Sequence, residues 1–277
     1  MKQLNLEEFT SVIEKYPIRL GICFNVDGRK IYGYHENEKF DTACGIMVFI
    51  LLEYVNQLFA GNFSGKELLT YNEDNFATGS GIIKCLPFGS QVRMEDAVEL
   101  MIAASDHVAA NLLIDALGMD SINDTIKKYG FLNTRLARKF LIPKVKNMGT
   151  SSPMEFTQFF TLLKRGLLIS VDASEIMKKI LLKQKYKDIL AGKIFELPLK
   201  TFLIDVASKS GKADGKIYDD TTNSYIVDGG IIYTKKGSYE ISLFAEMNYD
   251  SKLSLNHVKS FMQDISANFF TIFLQRY

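Results

Sequence analysis

Strand-like patterning is confined to the two ends of this chain, with a long helical block between them. Ile18 to Val26 and Arg29 to His35 read as two strands around Asp27-Gly28, a dipeptide suited to a tight hairpin turn. Strand character returns only at Phe202 to Ser208, Ser224 to Tyr233 and Tyr239 to Met247, the last two joined at Lys235 to Gly237. Five strands divided in this way are accommodated most simply in one antiparallel sheet made from both ends of the chain. The pattern predicts an α+β fold: a five-stranded antiparallel sheet flanked by N- and C-terminal helices, with the central helices as a second lobe. Residues 1–40 with 200–277 form one expected subdomain and 41–199 the helical one, with a site expected in the cleft between them.

The helices are read from apolar spacing and from their caps. The N-terminal segment reads as an amphipathic helix with Leu4, Phe9 and Ile13 on one side. Cys44 to Phe59 is so densely apolar that burial nearly all round is expected. Arg93 to Leu117 reads as one helical stretch, with Gly118 placed as its C-cap. Shorter helices are expected at Ser121 to Tyr129, Pro153 to Arg165 and Ala173 to Gln184. Ser152 precedes Pro153 as an N-cap followed by proline at the first helical position. The chain closes with Asn256 to Gln275, where Val258, Phe261, Met262, Ile265, Phe269 and Phe273 recur at helical spacing.

Composition narrows the function classes. The 277 residues are 47% apolar and 23% charged, ordinary for a globular protein with a substantial core. Thirty-three basic residues against 32 acidic ones give no electrostatic case for nucleic acid or an anionic membrane as partner. The densest apolar run, Ile46 to Leu52, is far short of the roughly 20 residues that cross a bilayer. The first residues show no apolar signal-peptide core, so a cytoplasmic location is expected. Cys23, Cys44 and Cys85 form neither an even disulfide set nor a metal-ligand spacing, and no metal or cofactor is expected. Free thiols suit a reducing compartment.

Three short elements carry the polar chemistry. Thr42-Ala43-Cys44-Gly45-Ile46-Met47 opens the buried helix, Ser105-Asp106-His107 interrupts an apolar helical stretch, and Lys209-Ser210-Gly211 lies beside a strand. In order and spacing they resemble the S-x-x-K, S-D-N and K-T/S-G elements of the class A β-lactamases and penicillin-recognising enzymes. The surrounding sequence resembles the family too. TGSGIIKCLPFGSQVRMEDAVELMIAASDHVAANLLIDALG is similar to the segment around S-D-N, and TSSPMEF to the helix after the omega loop. The similarity runs from about Ile18 to the last helix.

By that resemblance, Cys44 stands at the nucleophile, Ser105 at the S-D-N serine, and Lys209 with Gly211 at the K-T-G element. His107 replaces the asparagine and, with Ser210 and Gly211, is expected at the substrate-binding edge, partly exposed. The backbone N–H groups of Cys44 and of a residue near Lys212 would form the oxyanion hole. Met47 stands where the family has its lysine. The segment Arg138 to Thr150, where the resemblance places the deacylating glutamate, contains no acidic residue.

A serine beside methionine would lack a base, whereas a thiol at a helix N-terminus and facing Lys209 can ionise by itself. The expectation is an acyl-transfer hydrolase with Cys44 in place of serine, weak or inactive on β-lactams. It would act on a small amide, ester or peptide-like molecule bearing a carboxylate. The alternative is an inactive protein of the same fold that binds a ligand or another protein. His35 and His257 read as surface or capping residues, and Cys23 and Cys85 as packing residues.

Overall fold

A computed structural model describes residues 6–140, 148–215 and 223–277. Helix α1 (Leu6–Ile13) precedes a hairpin of β1 (Arg19–Val26) and β2 (Arg29–Tyr34), where Asp27 and Gly28 both take positive φ. Strand β3 (Phe40–Asp41) and a 3-10 turn over Ala43–Ile46 lead into α2 (Met47–Phe59). Strands β4 (Leu68–Thr70) and β5 (Gln91–Arg93) pair with each other ahead of α3 (Met94–Ala103), α4 (His107–Leu117) and α5 (Met119–Lys128). Strands β6 (Arg135–Leu136) and β7 (Gly149–Ser151) join β3 in a small sheet. Helices α6 (Pro153–Lys164), α7 (Val171–Leu182) and α8 (Asp188–Ala191) follow, then β8 (Leu203–Ala213), β9 (Ser224–Thr234), β10 (Gly237–Met247) and α9 (Leu255–Arg276).

The main sheet has the order β2-β1-β10-β9-β8, antiparallel at every step, so both ends of the chain meet in it as the strand pattern predicts. Alternation along the strands gives each face its own core. Ile22, Phe24, Ile232 and Ile241 pack with Phe9 of α1 and with Met262 and Phe269 of α9. On the other face, Val227, Ile231 and Phe244 pack with Phe156 of α6 and Phe49 of α2. Helix α2 lies at the centre of that second core, with Met47 through Leu52 fully buried. Leu4 lies outside the described residues. No helix among the described residues is long and apolar enough to cross a membrane.

Four readings of the sequence are corrected. Arg93 to Leu117 is two helices, not one, because Ser105 adopts φ +54° and breaks the backbone between α3 and α4. Gly118, at φ +85°, both ends α4 and starts α5, which therefore begins at Met119 rather than Ser121. Strand β8 runs to Ala213 instead of stopping at Ser208, so Lys209, Ser210 and Gly211 lie within it. Cys85 is exposed, sitting in a short surface turn, while Cys23 is buried in β1.

Candidate active site

The 3-10 turn before α2, the break between α3 and α4, and the far part of β8 converge on one cavity of about 290 Å³. Cys44, Ser105, Ser210 and Gly211 all line it. The turn that presents Cys44 is held by local bonds. Asp41 Oδ1 accepts the Ala43 N–H at 2.8 Å, and the Thr42 carbonyl accepts Gly45 N–H at 2.8 Å. Ala43 sits at φ +43°, a strained setting for a residue with a side chain. Gly211 of β8 presses against the same turn. A Cβ there would lie 2.5 Å from the Thr42 carbonyl oxygen and 2.8 Å from the Cys44 nitrogen. Only glycine lets the strand pass this close to the Cys44 N–H.

Lys209 is wholly buried, and the alternation of β8 carries it to the helical side of the sheet. Its Nζ donates to Ser105 Oγ at 2.7 Å and to the Ser210 carbonyl at 2.6 Å. Burial drives the ammonium down to about 8, against the pull of Cys44 and of Asp228 on the adjacent strand. Burial likewise holds the Asp228 carboxyl well above the usual carboxylate range. Met47, behind Ser105, brings its sulfur to 3.8 Å from the hydroxyl and has no exposed surface.

His107 departs most from expectation. Expected at the partly exposed binding edge, it is only 5% exposed, and its Nε2 lies 3.1 Å from Cys44 Sγ. Burial alone pushes the Cys44 thiol up. The imidazole, Lys209 and the Ser105 hydroxyl together overcome it and hold the thiol at about 6. Asp106 is turned away from this centre. Its Oδ1 caps α4 by accepting the Ala109 N–H, and its Oδ2 accepts the N–H groups of Ile82 and Ile83. The resulting set is a buried thiol against an imidazole, with a lysine-bonded hydroxyl beside it. Such a set suits nucleophilic attack on a carbonyl followed by proton delivery to the leaving group.

Other residues around the cavity carry no motif and went unread in the sequence. Tyr186, Asn256 and Lys259 form its outer wall with Lys212, and Lys259 pairs with Asp188. Tyr186 comes from the loop before α8, Asn256 and Lys259 from α9, and Lys212 from β8, so only folding brings them together. His35, with its Nδ1 3.8 Å from Glu38 Oε1, and His257, bonded to the α9 cap Ser254, lie apart at the surface as expected. Residues 141–147, in the middle of the segment without an acid, lie outside the described residues.

A model of the beta-lactamase enzyme family matches residues 6–273. The chain belongs to that family. Among solved structures, this family member is similar to the β-lactamase of Sphaerobacter thermophilus, at 22% identity and TM-score 0.80 over 93% of this chain and 92% of that one. It is similar to PBP-A at 21% identity and TM-score 0.81, over 97% and 95% of the two chains. The chromosome-encoded β-lactamase of Vibrio parahaemolyticus also matches at 21% identity and TM-score 0.81, over 97% and 99%. No curated protein matched the chain. The α+β fold expected from the resemblance is thus the fold of these β-lactamases.

Proposed function

We propose that this β-lactamase-family protein is an acyl-transfer hydrolase that forms a thioester on Cys44 and turns β-lactams over weakly or not at all. The contact between Cys44 Sγ and His107 Nε2 carries this reading. A thiol already lowered to about 6 beside the His107 ring needs no base at position 47, so methionine there is compatible with acylation. In the first step Cys44 Sγ attacks the substrate carbonyl. The backbone N–H of Cys44 and one near Lys212 stabilise the oxyanion. The leaving amine or alkoxide takes a proton from His107, or from Ser105 with Lys209 behind it. Ser210, Lys212 and Lys259 line the cavity and make it favourable for a substrate carboxylate, while the buried Lys209 acts through Ser105.

Hydrolysis of the thioester asks for a base beside water. His107, having passed its proton to the leaving group, adjoins the sulfur that carries the acyl group and takes the proton of the attacking water. No acid is available from the 138–150 segment to share the task, so deacylation is the slower step. The relative PBP-A has a mutant solved as its acyl-enzyme complex with penicillin G, which makes a penicillin a sensible first probe. A thiolate of this kind works in a reducing compartment, which is where we place the protein.

Intact-mass spectrometry after incubation with a penicillin and with an activated acyl ester tests the proposal. One acyl adduct is expected, lost in Cys44→Ala and kept in Cys23→Ala and Cys85→Ala. No adduct with either reagent, together with failure of iodoacetamide to label Cys44, would favour an inactive binding protein instead.

A further inference from the structure

An imidazole that acts as a base is ordinarily aimed by a hydrogen bond to its second ring nitrogen. Among the described residues His107 has no such bond. Its Nδ1 is buried and finds no hydrogen-bond partner among the described residues. Asp106, the acid next to it, is committed to the N–H groups of Ile82, Ile83 and Ala109. Something else must hold the ring.

The ring instead lies in the space where Gly79 lacks a side chain. A Cβ on Gly79 would lie 2.0 Å from Nδ1, 2.2 Å from Cε1 and 3.0 Å from Cγ of His107, all of them ring atoms. The Phe140 ring lies 5.1 Å from the imidazole, centre to centre. Both walls are tied to α4, the helix that starts at His107. The Ser80 carbonyl accepts the His107 N–H at 3.0 Å, and Phe140 N–H donates to Asn111 Oδ1 at 2.7 Å. We infer that Gly79 is the positioning residue of the Cys44–His107 pair, its missing side chain forming the slot whose steric confinement aims Nε2 at the sulfur. The inference rests on the reading that Cys44 and His107 act together.

Gly79→Ala is a clean probe of the slot. The glycine does not occupy the left-handed region, so alanine strains no backbone there, and the nearest atoms are those of a side chain that can rotate away. Gly81 differs, with φ +111° and a would-be Cβ 2.6 Å from the Asp106 Cα, and is left alone.

The test follows the rate of Cys44 alkylation by iodoacetamide against pH in the full-length wild type, Gly79→Ala, His107→Ala and the double variant. Thermal melts confirm that each is folded. In Gly79→Ala the midpoint should rise from about 6 toward the ordinary thiol value of about 8.5, with the rate at slightly acid pH falling on the order of tenfold. The double variant should match His107→Ala, because Gly79 acts only through the ring. A wild-type midpoint in Gly79→Ala, or an equal rise in the background lacking His107, overturns the inference while the Cys44–His107 reading stands. An unchanged midpoint in His107→Ala sinks that reading and the inference with it. Ring ¹⁵N shifts of His107 in the wild type give a second measure that needs no variant: a hydrogen-bonded Nδ1 there overturns the slot.

Discussion

Exchanging serine for cysteine changes which neighbours a nucleophile needs. A hydroxyl must lose its proton to a base during attack, whereas a thiol in a cationic setting is already ionised near neutrality. That explains how Met47 can occupy the lysine position as a packing residue. Met47→Leu should cost less than about 1.5 kcal/mol by thermal melting and leave Cys44 alkylation unchanged. The two titrations also set a pH window. Cys44, lowered to about 6, is thiolate above that value, and Lys209, lowered to about 8, loses its charge above that one. Acylation by a carboxylate-bearing ester should therefore rise through about pH 6 and fall through about pH 8. A rate profile that keeps climbing past pH 8 would remove the Lys209–Ser105 pair from the acylation step. Cys44, Ser105 and Lys209 were all legible in the sequence as motif residues. The inward turn of His107 was not, because a side chain's direction depends on the loop packed over it.

At the scale of elements, the site depends on two backbone events. The first is the break at Ser105, whose positive φ ends α3 and starts α4, so that Ser105 and His107 both turn toward Cys44. The second is the crossing of β8 against the 3-10 turn. There the atoms that an added Cβ would meet are backbone atoms of Thr42, Cys44 and Gly45, which cannot rotate away. Gly211→Ala should destabilise the protein by about 1–3 kcal/mol, read as a lower melting temperature, and slow acylation by displacing the Cys44 N–H. At Gly79 the nearest atoms that an added Cβ would meet belong to the His107 ring rather than to backbone, so Gly79→Ala should lower the melting temperature less than Gly211→Ala does. The sequence marked Ser105 as an interruption but could not give its conformation, since serine at positive φ is tolerated only where tertiary contacts impose it.

At the scale of the molecule, the sheet separates two cores, and α6 ties the helical one to β10. Lys164 Nζ of α6 lies 2.9 Å from Glu240 Oε1, whose side chain is completely buried in β10. Burial raises the Glu240 carboxyl, and Lys164 pulls it back down. Lys164→Met would leave a buried acid without its cation, at a cost of about 3 kcal/mol, and Glu240→Gln in the same chain should restore part of the lost melting temperature. The sequence by itself determined the α+β class, the sheet made from both ends of the chain, the buried α2 and the three motif elements. The fold features follow from apolar periodicity and caps, which are properties of neighbouring residues, and the motif elements from their resemblance to the family. Only the tertiary structure decided that His107 faces Cys44, that Lys209 is wholly buried against Ser105, and that Lys259 and Tyr186 wall the cavity. Those facts depend on distance and burial between segments as far apart as residues 44, 107 and 209, which no local pattern records.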